Sequence, residues 1–348
     1  MNNIFWKING ILSIYCISLL ITQSYLVSQD KNTLLFESTA TKYLMGTKFT
    51  ITATAISVDT AKKAMYYALK EVERIENLMS STKESSDIFR INENSGIKPV
   101  KVTYETFSII KRSIAYSEKY NGLFDITIGP ISNLWGFNTD NPITQVPPEN
   151  VIDSLVKFVD FRKIILNEAD TTVFLPDTPM KLDLGGIAKG YAVDRASGIM
   201  KKMGMENYFV NGGGDVYISG LKDRVNEWSM GIEHPRDPNK IIGELWLKDM
   251  AIGTSGDYER YAIIDGVRYC HIFDTKTGYP AHLSESASAV APTVEEAVIL
   301  SKVLFIYGYE KYNEMKEKLN TKGVIVDSTG AIHYDEALKE KYGFMLAK

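Results

Sequence analysis

"MKLDLGGIAKGYAVD", residues 180–194, sets an acid, a glycine pair and a lysine between an apolar run and the start of a helical pattern. It looks like a phosphate-binding loop and fits neither common template. Lys189 precedes Gly190 instead of following a terminal glycine, so the loop is not G-x-x-x-x-G-K-[ST]. Gly185, Gly186 and Gly190 do not have the spacing of G-x-G-x-x-G. The loop therefore does not announce a nucleotide-binding βαβ unit, and the fold class rests on what flanks it.

Four helical patterns stand out. "DTAKKAMYYALKEVERIENLMS" carries Met65, Ala68, Leu69, Val72, Ile75 and Met79 at helical spacing. "TYETFSIIKRSIAYSEKYNG" ends in Gly122, a good C-cap, and "AKGYAVDRASGIMKKMG" ends at Gly204. "TVEEAVILSKVLFIYG" opens with Thr293 and Glu296, a capping box. Strand-like runs are "KFTITATAIS", "KIILNEADTTVFLP", "YFVNGGGDVYISG", "GELWLKDMAIGTSG" and the pair "RYAIIDGVRYCHIF", in which Asp265-Gly266 is a strong hairpin signal. Strands and helices do not alternate regularly, which predicts an α+β fold with a largely antiparallel sheet flanked by helices. The polar, proline-rich "FNTDNPITQVPPENV" reads as a surface loop between two lobes.

The chain has 348 residues, enough for one large domain or two intertwined ones. Its 39 lysines and arginines against 43 acidic residues leave a net charge of −4, which gives no support to nucleic-acid binding. Residues 1–28 read as a secretory signal peptide: Lys7 is followed by an apolar run from Ile11 to Leu20, and Ser28 precedes the cleavage point. The competing readings are an uncleaved membrane anchor and lipidation at Cys16, which sits in mid-run after the bulky Tyr15. Cleavage would leave Cys270 alone, so no intramolecular disulfide could form.

Several residues could carry chemistry. His271 reads as part of the hairpin's second strand, on one face with Val267, Tyr269 and Phe273, and that strand runs into the "DTKTGYP" turn with Asp274, Thr277 and Gly278. It reads either as a general base near an anion or as a packed histidine bonded to backbone. The other histidines, His234, His282 and His333, lack such neighbours. Asp125 looks buried between Phe124 and Ile126. The run Gly212 to Gly214 before Asp215 is either a close approach to a ligand or a turn alone. No H-E-x-x-H, cysteine cluster or G-x-S-x-G occurs, which argues against zinc hydrolysis and serine-hydrolase chemistry.

The order of seven pieces is informative: "MGTKF" (45–49), "SSTKESSDIFRIN" (80–92), "GLFDITIGP" (122–130), "DLGGIAKGYAVD" (183–194), "VNGGGDVYISG" (210–220), "AIGTSGDYER" (251–260) and "HIFDTKTGYPA" (271–281). Together they resemble the ApbE family, the FAD:protein FMN transferases. The domain so implied covers about residues 40–340, and the family's secreted or tethered location agrees with a periplasmic protein, cleaved or membrane-anchored. The resemblance implies that the acid-glycine-lysine loop lies against FAD. Asp183 and Lys189 would contact the nucleotide, and the backbone carbonyl of Gly186 would face a magnesium ion. Met45, Leu123, Phe124, Asp125 and the backbone at Ile272 match other FAD-contacting positions. The position of Thr82 is usually aromatic in the family, and threonine cannot stack on a ring. His271 would be the base that deprotonates a threonine hydroxyl on an acceptor protein, which then attacks the FMN phosphorus of FAD and expels AMP.

One helix departs from the family pattern. Val298 and Lys302 stand where the family places an aspartate and a threonine, four residues apart on one face, that hold magnesium. Valine offers no oxygen and lysine offers a cation. The simplest physical reading is that the Lys302 ammonium replaces the metal; the alternative is a degenerate site with Lys302 turned to solvent. Three functions therefore compete: an FMN transferase, a non-catalytic FAD-binding protein, and an FAD pyrophosphatase in which water replaces the threonine.

Overall fold

The computed structural model describes residues 20–26, 34–137, 143–319 and 321–347. The described residues open with three strands, β1 (Leu20–Leu26), β2 (Leu35–Leu44) and β3 (Thr47–Ala55). Helices α1 (Val58–Met79) and α2 (Asp87–Glu93), the short β4 (Val100–Lys101), and helices α3 (Tyr104–Lys119), α4 (Gly129–Trp135) and α5 (Glu149–Val156) follow. After β5 (Ile165–Asn167) and β6 (Thr172–Phe174) come α6 (Ala188–Lys202), β7 (Asn207–Gly212) and β8 (Asp215–Ser219). Next are β9 (Trp228–His234), β10 (Asp237–Leu247), β11 (Met250–Gly256), β12 (Tyr261–Ile264), β13 (Val267–Cys270) and β14 (Ser284–Ala291). The chain closes with α7 (Val294–Leu319), β15 (Lys322–Asp327), β16 (Ile332–Tyr334), α8 (Glu336–Tyr342) and β17 (Met345–Leu346).

The backbone of the fold is a nine-stranded sheet in the order β1-β2-β3-β7-β8-β11-β14-β15-β16, antiparallel throughout. Its strands follow the period-two rule: β7 alternates half-buried and buried residues along its length. One face carries α1, α6 and α7, and their apolar stripes make the main core. Ala61, Ala64, Met65, Ala68, Leu69, Val72, Ile75 and Met79 form the buried stripe of α1. The opposite face carries the small sheet β17-β10-β9 and a second core around Ile218, Trp228, Leu247 and Phe344. A third cluster joins α4 and α5 through Trp135, Ile131, Ile152 and Phe273. Small residues on β14 and β11 let α7 lie close: a Cβ on Gly253 would stand 2.8 Å from the α7 backbone at Ala297 and Val298.

Three readings from sequence change in detail. "GELWLKDMAIGTSG" is not one strand, because Asp249 at φ 51° turns the chain between β10 and β11, which lie in different sheets. The last helical pattern does not stop at Gly308. It breaks there, at φ 67° and ψ 177°, and resumes to Leu319. Its capping box is half formed: the Glu296 N–H donates to Thr293 Oγ1 at 3.3 Å, while the Asp194 carboxylate accepts from the N–H groups of Val294 and Glu295, both at 2.9 Å. Most of the leader reading and part of the 137–151 loop lie outside the described residues; Leu20–Leu26 pairs along β2. No helix among the described residues is long and apolar enough to cross a membrane.

Candidate active site

The loop at 183–187 is built from long-range backbone contacts. Gly129 N–H donates to Lys181 O at 3.2 Å, and a Cβ on Gly129 would stand 2.5 Å from that oxygen, so only glycine allows the approach. Asp183 N–H donates to Ile126 O at 2.7 Å. Both Asp183 carboxylate oxygens are engaged: Oδ1 accepts from Gly185 N–H within the loop and Oδ2 from Ser132 Oγ on α4, each at 2.8 Å. Leu184 O then accepts from Ile187 and Ala188 N–H and starts α6. Gly186 lies between two side chains, with a Cβ there meeting Phe124 at 3.0 Å and Lys302 Cε at 3.5 Å. Gly190 serves packing: its Cβ would stand 2.8 Å from Val294 O and 2.9 Å from Val298 Cγ2, so it sets the contact between α6 and α7.

The loop forms one wall of a cleft of about 420 Å³ lined by Met45, Thr82, Leu123, Phe124, Asp125, Asp183, Gly186, Lys189, Asp215, Arg260, His271, Ile272 and Lys302. The fold thus brings the expected FAD-contacting positions and His271 to one cavity, while Val298 is not among its lining residues. A second hollow, about 590 Å³, lies around Lys201, Asn207 and Asp249 at the far end of α6, away from these groups.

Positive charge converges in the cleft. Lys189 Nζ pairs with the buried Asp215 carboxylate at 3.0 Å. Asp215 is placed by the β7–β8 hairpin, whose Gly213 and Gly214 take φ of 67° and 93°. The glycine run is therefore a tight turn, packed so that a Cβ on Gly213 would meet Thr47 Oγ1 at 2.4 Å. Lys302 projects from α7, and Arg260 lies over the turn at Gly46, its guanidinium 2.8 Å from where a Cβ would stand.

His271 stands just past β13 and not within it. Its N–H donates to Arg260 O at 3.0 Å, and its Nδ1 lies 3.3 Å from the same carbonyl. With a proton on Nδ1 donated to that carbonyl, Nε2 keeps its lone pair. Burial pushes the imidazole pKa down to about 3, and the nearby Arg260, Lys302 and Lys189 charges push it the same way. Lys302 is lowered to about 8, mainly by burial; Asp215 opposes the shift and Lys189 adds to it. Glu259, also at the cleft, is raised by burial.

Other positions serve differently. The Asp125 carboxylate is buried and accepts from Thr127 N–H and Oγ1 and from Phe161 N–H, so it ties the Phe124 segment in place. Thr82 lies exposed at the rim, beside Ser80. Ile272 offers its carbonyl to Ala281 N–H at 2.8 Å, and Met45 takes φ 51° in the β2–β3 turn. Three contributors escape the sequence reading: Asn92, Ser132 and Arg260. Asn92 ends the quoted 80–92 piece and Arg260 ends the 251–260 piece, so position within those pieces was the available signal.

The ApbE family model matches residues 45–325 of the chain. An FAD:protein FMN transferase of Treponema pallidum is 32% identical over 270 residues, 71% of this chain and 73% of that protein. One from Haemophilus influenzae is 32% identical over 249 residues, 70% and 72% of the two chains. The crystal structure of the ApbE protein from Thermotoga maritima superposes with a TM-score of 0.82 at 33% identity, covering 88% of this chain and 98% of that one.

Proposed function

Because this chain belongs to the ApbE family, we propose that it is an FAD:protein FMN transferase. It takes FMN from FAD, attaches it to an acceptor protein and releases AMP. The observation that carries this reading is His271: a neutral imidazole at the cleft wall with its Nδ1 beside the Arg260 carbonyl, among three cationic side chains.

The acceptor group is a threonine hydroxyl. Its oxygen forms the new bond to the FMN phosphorus, and the bond from that phosphorus to the bridging oxygen of FAD breaks. The electron pair and negative charge leave with AMP, and the hydroxyl proton passes to His271 Nε2. In the free chain burial first, and the nearby cations after it, hold His271 far below the usual histidine range. The FAD diphosphate would offset those cations, so binding the donor raises the basicity of His271 when it is needed. Lys189 and Arg260 face the charge that develops in transfer. Phe124 and Leu123 supply apolar surface for the flavin rings.

The residues present do not fit a magnesium ion at the family position. Val298 has no side-chain oxygen and is 2% exposed, and the Lys302 stem packs at Gly186. Among the described residues no group of three His, Cys, Asp or Glu side chains could hold a metal.

The work place is the periplasm, after export by the leader-like residues 1–28 or under a retained anchor. Loss of residues 1–28 removes β1 and leaves β2 as the sheet edge. The remaining Cys270 is buried, and burial pushes its thiol up to about 12, which keeps it unreactive in an oxidising compartment.

The altered α7 face favours one competing reading, an FAD-binding protein without transfer. Purified chain incubated with FAD and a threonine-bearing acceptor fragment separates the cases. In-gel flavin fluorescence with AMP release is expected. AMP release without labelling would indicate a pyrophosphatase, and neither product would leave a binder.

A further inference from the structure

Lys302 is a cation with an unfilled role. Its ammonium donates to Val298 O, one turn back on α7, at 3.3 Å. Among the described residues it forms no ion pair, whereas Lys189, the other ammonium in the cleft, has Asp215 at 3.0 Å. An ammonium has three N–H donors, so one long bond to a carbonyl leaves most of its capacity unused. Charged groups taken out of water need partners.

The surroundings say which partner. The Lys302 stem lies against Gly186, with Cε 3.5 Å from where a Cβ would stand, so the loop backbone and the ammonium share one wall. Ser301 also donates to Val298 O, at 3.1 Å, so that carbonyl serves two donors. On the other side α7 is closed by Val298, which packs on Gly190 and brings no oxygen. The carboxylate in reach of this region, Asp215, is held by Lys189 and by Thr254 N–H. What would complete Lys302 is an anion entering the cleft.

We propose that the Lys302 ammonium holds the diphosphate of FAD directly and takes the place of a divalent metal, so that the donor binds without magnesium. This rests on the reading that the cleft takes FAD. In that donor the flavin and adenine rings are neutral, and the diphosphate is the anionic part that a cation would recognise. An ammonium donates to phosphate oxygens as a point charge, and it repels a divalent ion at close range. Holding the diphosphate is a binding role shared by ground state and transition state, so it fixes affinity more than turnover.

The test is flavin binding by fluorescence quenching in EDTA and in excess magnesium, with FAD and with riboflavin, which lacks phosphate. The parent is expected to bind FAD equally in both buffers, within about twofold, while Lys302→Thr weakens FAD in EDTA by at least about tenfold. Riboflavin binding by Lys302→Thr should match the parent, which also shows that the variant is folded. Lys302→Arg should keep most FAD affinity in EDTA. Metal analysis of the parent–FAD complex should find no stoichiometric magnesium. Parent FAD binding that EDTA abolishes and magnesium restores would overturn the inference and leave the transferase reading standing. So would a Lys302→Thr variant that binds FAD like the parent. Absence of flavin binding in every arm would overturn both.

Discussion

Asn92 and Leu182 exchange two hydrogen bonds: Asn92 Nδ2 donates to Leu182 O at 2.9 Å, and Leu182 N–H donates to Asn92 Oδ1 at 2.6 Å. The side-chain amide imitates a neighbouring strand and fixes the chain one residue before Asp183. From there the loop passes to Gly185 and Gly186 and into α6. Removing this clamp should therefore affect both stability and the cleft.

Asn92→Ala leaves the buried N–H and C=O of Leu182 without partners. A loss of about 2–3 kcal/mol in unfolding free energy is expected by denaturant titration. FAD affinity should fall as well, because Asp183 loses its anchor. Parent-like stability would show that the loop is held by its other contacts alone.

His271→Ala should keep FAD binding while transfer to the acceptor falls by about 10² to 10⁴. The same residue sets an acid response. Its folded pKa is depressed from 6.5 to about 3, so the folded chain disfavours the imidazolium. Stability contributed by His271 is full above 6.5 and is lost as the pH falls toward 3. Melting temperatures measured across that window should fall more steeply for the parent than for His271→Asn. Equal slopes would show that the imidazole is not held neutral by its surroundings.

Two glycines on α6 should respond in opposite ways. Gly190→Ala forces a methyl against Val294 O and Val298 Cγ2 and should destabilise by about 1–3 kcal/mol. Gly198 has nothing within 4 Å of where a Cβ would stand. Gly198→Ala should stabilise by about 0.5–1 kcal/mol, since alanine is the better helix former. Thermal unfolding of both variants reads the difference in sign.

The double change Val298→Asp with Lys302→Thr should supply the pair of oxygen ligands that the family carries on this face of α7. A buried carboxylate without a partner is costly, so this variant should melt below the parent in EDTA and regain stability with magnesium. Its transfer activity should depend on magnesium. Val298→Asp alone places a carboxylate one turn before Lys302, where the two pair, and should weaken FAD binding. A melting temperature of the double variant that ignores magnesium would show that the face cannot rebuild a metal site.

The sequence was most readable where the cause is local. Asp265-Gly266 takes φ of 50° and 81°, the two-residue hairpin that its composition predicts. The stripe of α1 follows from 3.6-residue periodicity. Glycines were found without their reasons: Gly190 answers to α7, about a hundred residues on, and Gly213 to Thr47. Asn92 acts on a residue 90 positions away, and Asp194 caps a helix 100 positions away. Such partners have no spacing to read, because only the tertiary packing of helices, loops and sheet brings them together. The candidate site was legible through the order of its pieces, which is a likeness and not a deduction from charge or periodicity.

The β12–β13 hairpin has a fixed base and a free tip. Its base is closed by His271 N–H on Arg260 O, and both residues face the cleft. Its outer part points away, with Ile263 62% and Val267 52% exposed. The ladder from Tyr261–Cys270 to Ile264–Val267 separates the two. The hairpin should therefore accept a longer arm or an epitope between Asp265 and Gly266 with the register at Arg260 and His271 unchanged. Recognition outside the cleft can diversify, by evolution or by grafting, while the proton-transfer geometry stays where it is.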